Sequence, residues 1–327
     1  MKIKRIFKKM VSWAGLFFFG VAAYAIYLQL SKYDMEDIKN ALLNIPRRKL
    51  VYACIASFCG YLALSSYDFL AIKYIGKKLA FWKWMFAGFI GFSVSNNAGH
   101  AIISGAAVRY RLYTRWRFHG TDIVKMITFS GFTYLVACFF LIIVGYLITP
   151  DHAFGEGGVS KVATTITAAG SFIGLLIYLG GSLFYKKDIV IKGIEFKVPS
   201  IKMALAQILI GAADILMASS VLYFCLTAFV PIHFDVFIGV FIIAQVLGVF
   251  SQVPGGLGIF EGLFLYILPN SDDNTVAVFG ALIAYRIIYY LLPLILSGIA
   301  FLCYEGYLRY RYMKVLKQHW KYVNKED

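Results

Sequence analysis

Two runs of small and polar residues interrupt long apolar sequence: Ser93-Val94-Ser95-Asn96-Asn97-Ala98-Gly99-His100 and Ser251-Gln252-Val253-Pro254-Gly255-Gly256-Leu257-Gly258. Ionisable residues stand in or beside the apolar blocks: Asp68, Arg109, Asp214, Glu261 and Arg286. In hydrocarbon such groups are costly unless they pair or line a wet cavity. Non-helical backbone is tolerated at membrane depth only in the same protected places. Free amides at the start of a half-helix bind anions, and free carbonyls at its end bind cations. Asn96, Asn97, Ser104, Gln252, Gly255, Gly256 and Gly258 could therefore contact a charged head group together. The alternative is tight helix–helix contact that requires small residues.

The charged residues divide by position. Arg109 and Arg111 are about 200° apart on a helix, so one faces a cavity and the other the membrane surface. Arginine binds phosphate through two parallel hydrogen bonds; the alternative for Arg109-Tyr110-Arg111-Leu112-Tyr113 is a juxtamembrane anchor. Asp68 lies near the end of its block, where it could simply face water. Asp214 is deeper, in Gly211-Ala212-Ala213-Asp214. Arg286 has no charged neighbour in sequence and so requires an acidic partner, with Glu261 and Asp214 as the candidates.

Catalysis finds little support. The five cysteines lie inside apolar blocks without CxxC pairs, and the five histidines are scattered, so no metal or cofactor is expected. The Gly255–Gly258 run lacks the Lys-Ser/Thr of a P-loop.

The elements that must position these residues are membrane helices. Of 327 residues 60% are hydrophobic and 15% charged, with a mean hydropathy of +0.73; soluble domains average about 45–50% and about 25%. Blocks such as 13–30, 51–72 and 210–230 are long enough to cross the bilayer. The first is read as a retained span, because its apolar run is too long for a signal peptide and no cleavage motif follows. The net charge of +15 sits in short loops, which indicates a lipid surface and not nucleic acid.

Lysine and arginine counts are five in residues 1–10, five in 31–49, four in 73–83, five in 109–125, one in 150–161, five in 186–202, none in 231–236 or 269–274, and six from Leu308 onward. The positive-inside rule puts 1–10, 73–83, 109–125, 186–202 and the tail in the cytoplasm. The segment 84–108 then enters and leaves on one side, and 236–268 does the same from the other. The expected fold is all-α, with six full spans near 11–30, 50–72, 126–149, 162–185, 203–230 and 275–303 and two re-entrant helical hairpins. The hairpins are expected to have arms of about ten residues, rising about 15 Å each. It is one integral membrane domain with pseudo-halves 1–150 and 151–305, an inverted-topology repeat, and a basic cytoplasmic tail at 306–327. Loop 31–49 is the exception, outside despite its charge. The alternative has eight full spans, with 109–125 outside.

Asn97-Ala98-Gly99, Ser104 to Tyr113, and Val253-Pro254-Gly255-Gly256-Leu257-Gly258-Ile259-Phe260-Glu261 resemble the transmembrane region of lysylphosphatidylglycerol synthases, the flippase part of the multiple peptide resistance factor, and especially its stand-alone YbhN-like bacterial members. The resemblance covers nearly the whole chain. It implies a bacterial inner-membrane protein that translocates aminoacylated or other anionic phospholipid, with functional charges at Asp68, Arg109, Asp214, Glu261 and Arg286. Lysyl transfer is not expected, because the chain stops at Asp327 soon after its last span. Two other readings are an ion-coupled solute transporter, with Asp214 and Glu261 binding a proton or cation, and a non-transporting partner of a lipid-synthesis enzyme. Cysteines placed at Lys78 and Thr114 should both react only from the cytoplasmic side of membrane vesicles. Labelling of the Thr114 position from outside would contradict the first hairpin.

Overall fold

A computed structural model describes residues 35–97, 101–148, 161–185, 187–191, 193–250, 259–267 and 272–323. The expected first span at 11–30, residues 98–100 of the first break, and the whole of the second break (251–258), with Gln252, Gly255, Gly256 and Gly258, lie outside the described residues. The described elements are α1 (Met35–Asn44), α2 (Arg47–Tyr74), α3 (Phe81–Asn97), α4 (Ala101–Arg115), α5 (Gly120–Ile148), α6 (Lys161–Phe184), a two-stranded antiparallel ribbon of β1 (Ile189–Ile191) and β2 (Ile194–Phe196), α7 (Ile201–Leu226), α8 (Phe234–Phe250), α9 (Ile259–Ile267), α10 (Asp272–Tyr285), a π-helical segment Arg286–Leu291, and α11 (Leu292–Val323).

Among the described residues, five helical stretches are long and apolar enough to cross a membrane: Arg47–Tyr74, Gly120–Ile148, Val162–Phe184, Ile201–Leu226 and Val278–Val315. Each overlaps one of the six spans read from the sequence, and the last runs on to Val315, past the expected end at 303. Their outward faces carry the apolar stripes expected next to lipid. On α2, Val51, Ile55, Phe58 and Leu62 recur at helical spacing and are exposed. On α6, Ile166, Phe172, Ile173, Leu176 and Ile177 are exposed, which makes it the most peripheral of the five spans.

The centre of the bundle is α2 packed antiparallel on α7. The Lys49 ammonium donates to the Thr227 carbonyl at one end, Gly60 lies against Met217 and Ala218, and Tyr67 reaches Asp214 further along. A cation at a helix C-terminus meets the negative end of the helix dipole. α5 runs parallel to α7, with Gln207 donating to Thr133 at 2.8 Å. Gly211 makes that approach possible, because a Cβ there would lie 2.5 Å from Ala137 Cβ and 2.9 Å from the Thr133 carbonyl.

Both broken segments fold back as antiparallel helix pairs. Gly91 lies against Arg109, and Gly105 against Ser95 and Gly91, so the end of α3 and the start of α4 lie side by side and run in opposite directions. Phe237 packs on Phe264 and Phe241 on Phe260, so α8 and α9 do likewise. The first arms are longer than expected: 17 and 15 residues, about 25 and 22 Å. Ser93 to Asn97 are helical rather than part of the break, because Ser93 donates back to the Phe89 carbonyl and Asn97 to the Ser93 carbonyl. Such back-bonding lets polar residues stay within a helix.

The strongly basic segments collect at one end. Lys77 pairs with Asp122 at 2.6 Å, Tyr74 donates to the Lys197 carbonyl at 2.7 Å, and Arg115 pairs with Glu305 at 2.5 Å. Thus 73–83, 109–125, 186–202 and the start of the tail are neighbours. Lys49, from the 31–49 loop, lies at the other end beside Thr227. The chain turns from α2 toward α3 through Gly76, whose φ of +72° and the Lys77 N–H to Ile72 carbonyl bond close the helix. Residues 306–323 of the tail continue α11 as helix.

Gly211→Leu should force α5 from α7 and cost about 1–3 kcal/mol. Gly170→Leu, with open space around it, is the control. Thermal denaturation in detergent should show a lowered transition for the first variant and an unchanged one for the second.

Candidate functional site: a buried polar seam between two hairpins

Asp68, far from facing water as its position near the helix end allowed, is fully buried. The reason is the first hairpin, whose return arm α4 covers the end of α2. Arg109 Nε donates to Asp68 Oδ1 at 3.0 Å and Oδ2 at 3.2 Å, and the Tyr113 hydroxyl donates to Oδ2 at 2.7 Å. Arg109 and Tyr113 are four apart, so they share one face of α4. The guanidinium lies over Phe92, 4.1 Å from its centroid. Gly91 and Gly105 leave the slot it occupies, since a Cβ at either position would come within 3.0–3.1 Å of guanidinium atoms. Arg109 Nη2 is buried with no hydrogen-bond partner among the described residues.

The second hairpin repeats the arrangement with the charges exchanged. Its return arm carries the acid, Glu261, and the following span carries the base, Arg286. Arg286 Nε and Nη2 lie 2.8 and 2.6 Å from Glu261 Oε1. The Arg286 guanidinium also lies 4.6 Å from the Tyr290 ring. Of the two acids the sequence offered to Arg286, the structure selects Glu261.

Asp214 has a different environment. It sits midway along α7, buried, and accepts from the Tyr67 hydroxyl at 2.9 Å. Tyr289 supplies a second phenolic neighbour. Tyr67 packs edge-on against Phe92, which in turn carries Arg109, so the seam runs without interruption from the first ion pair to Asp214.

The π segment joins this seam to the second ion pair. Pro293 has no N–H, and its ring clashes with the carbonyl of residue 289 in a regular helix. The chain responds by widening, and the Leu292 N–H bonds to the Ile287 carbonyl. The carbonyls of 288 and 289 then lose helical donors, and side chains from α2 replace them: Ser57 donates to Ile288 O and Tyr61 to Tyr289 O, both at 3.1 Å. Asn97, at the tip of the first hairpin, donates to Tyr290 O at 3.2 Å. The first hairpin is thereby fastened to the last span beside Arg286.

The remaining expected residues fall elsewhere. Arg111 points away from Arg109, as their angular separation required, and its Nη2 pairs with Glu305 at 3.0 Å beside Arg115. Asn96 lies beside the Tyr61 hydroxyl. Ser104 belongs to α4, and its side chain lies outside the described residues. The sequence reading missed Tyr67, Tyr113, Tyr289 and Glu305. Two signals could have found some of them: the Arg109–Tyr113 spacing, and a proline inside the last apolar block.

This geometry, two folded-back helix pairs each contributing one member of a buried Arg–carboxylate pair, spans the region that matches a known family. The model of the lysylphosphatidylglycerol synthase TM region matches residues 12–297. The chain belongs to this family. It is 33% identical over 287 residues to the uncharacterized Synechocystis sp. protein slr0712, covering 86% of this chain and 87% of that one. It is 29% identical over 307 residues to the Escherichia coli inner membrane protein YbhN, covering 92% and 93%. Similarity to a phosphatidylglycerol lysyltransferase of Staphylococcus xylosus is 24% over 297 residues, which is 86% of this chain but 32% of that enzyme. This member of the synthase TM-region family is thus a multi-pass helical membrane protein with a lipid-related role.

Removing one member of a buried ion pair costs about 3–5 kcal/mol, while replacing both with apolar groups is often neutral. Arg286→Met should therefore destabilise more than Glu261→Leu/Arg286→Met combined. Thermal denaturation of both in detergent checks this; additive losses would contradict direct pairing.

Proposed function

We propose that this chain translocates anionic or aminoacylated phospholipid between the leaflets of a bacterial inner membrane. The observation that carries the reading is the pair of buried Arg–carboxylate contacts held between two helical hairpins, in a chain of the synthase TM-region family. An Arg–carboxylate pair can be exchanged without stranding a charge. A head-group phosphate replaces the carboxylate on Arg109 or Arg286, and an amine on the head group takes up Asp68 or Glu261 in return. Arg109 Nη2 is a donor left for a phosphate oxygen. Acyl tails remain in the lipid outside the bundle.

The topology that serves this function has both hairpins re-entrant, from opposite sides, in an inverted repeat with cytoplasmic termini. The gathering of the basic segments at one end supports it, because 73–83 and 109–125 touch through Lys77 and Asp122. The antiparallel contact of α2 with α7 is what an axis in the membrane plane between the halves requires. Rocking of one half on the other would open the seam to each leaflet in turn. The inner membrane is suggested by the printed name of YbhN, and a lipid-synthesis enzyme as partner by the lysyltransferases that share this region.

Purified protein in vesicles containing fluorescent phosphatidylglycerol tests the reading. Head-group flip, read by quenching of the outer leaflet, should exceed that of protein-free vesicles. Arg109→Ala and Arg286→Ala should return it to that baseline, and Arg286→Lys should retain part. Wild-type protein no faster than empty vesicles, or alanine variants at wild-type speed, would overturn the proposal.

A further inference from the structure

Among the described residues, three acids lie buried within the helical bundle at or below a tenth exposure: Asp68, Asp214 and Glu261. Two of them face a guanidinium, at 3.0 Å in Asp68–Arg109 and 2.6 Å in Glu261–Arg286. Asp214 has no cationic partner among the described residues. Its surroundings are phenols and a thiol: Tyr67 from α2, Tyr134 and Cys138 from α5, and Tyr289 from the π segment, with Tyr61 of α2 beside Tyr289. It is residue 14 of the 26-residue helix α7, so it lies at the middle of a span. It also lies on the contact between α2 and α7, the helices that join the two pseudo-halves. Gly211, one turn earlier, brings the α5 backbone against the same place.

We infer that Asp214 is a proton-binding site that couples lipid movement to a transmembrane proton gradient; this rests on the translocation reading above. The neutral acid can remain in a closed interface, donating one hydrogen bond and accepting from Tyr67. The ionised acid at this depth needs water or a cation to offset its desolvation. In a closed α2–α7 contact it has only phenolic donors. Uptake of a proton onto a carboxylate oxygen, from water reaching the seam on one side, therefore closes the contact. Release to water on the other side opens it. No other bond forms or breaks in the step. The two Arg–carboxylate pairs do not compete for this role, because each is already balanced in charge.

The test uses full-length protein in vesicles of phosphatidylglycerol and phosphatidylethanolamine with fluorescent phosphatidylglycerol as probe. Flip is measured with an imposed pH gradient and again after an ionophore has collapsed it. The wild type should flip severalfold faster with the gradient. In Asp214→Asn the ratio of the two rates should fall to one whatever its absolute rate, and Asp214→Glu should restore a ratio above one. Wild-type flip that ignores the gradient, or an Asn variant that still responds to it, overturns the inference and leaves translocation standing. If the wild type moves no lipid, the translocation reading itself fails. Infrared difference spectra recorded across pH then decide the site alone. A carboxylic-acid carbonyl band missing from Asp214→Asn supports proton binding, and identical spectra overturn it.

Discussion

An ionised side chain inside a bilayer must bring its counter-charge with it, and much of this fold can be understood as the means of doing so. Asp68 and Arg109 lie on different elements, as do Glu261 and Arg286, and each pair closes only because a hairpin folds back to deliver one partner. The glycines at 91 and 105, the back-bonding of Ser93 and Asn97, and the widened turn before Pro293 all serve that delivery. Removing the fold-back would leave charges facing hydrocarbon. The hairpins and the charges therefore depend on each other.

The same pairing gives the proposed function its chemistry. A buried pair that is balanced internally is weak evidence for stability, since apolar residues often do as well. What such a pair offers is exchange: a head group carrying both phosphate and amine can take up the arginine and the carboxylate together without leaving an isolated charge. The stacking of Arg109 on Phe92 and of Arg286 on Tyr290 keeps each guanidinium oriented during such an exchange. Asn97 on the Tyr290 carbonyl connects the two sites mechanically, so movement of the first hairpin reaches the segment holding Arg286.

Much of the architecture was legible in the sequence because it follows from averages over many residues. Five spans appear where length and apolarity put them, and the lysines and arginines marked which segments belong at one end. That Arg286 needs an acid was also legible. Which acid it takes was not, because the choice depends on how α9 folds back onto the last span. Whether Asp68 faces water or a buried partner was left open for a related reason: distance from a helix end says nothing about what another element lays over it. The polar run at 93–97 looked like a break, yet its side chains satisfy the helix they stand in. Pro293 was visible in the sequence, but the donors that answer its missing N–H come from Ser57 and Tyr61, more than two hundred residues away.

The central claim is that a lipid head group exchanges into these pairs between the two hairpins. The most direct measurement is a density map of the protein in nanodiscs rich in phosphatidylglycerol. The account predicts head-group density between α3–α4 and α8–α9, with phosphate on Arg109 or Arg286 and the former carboxylate partner displaced. Lipid confined to the outer wall, with both pairs closed and no density in the seam, would contradict it.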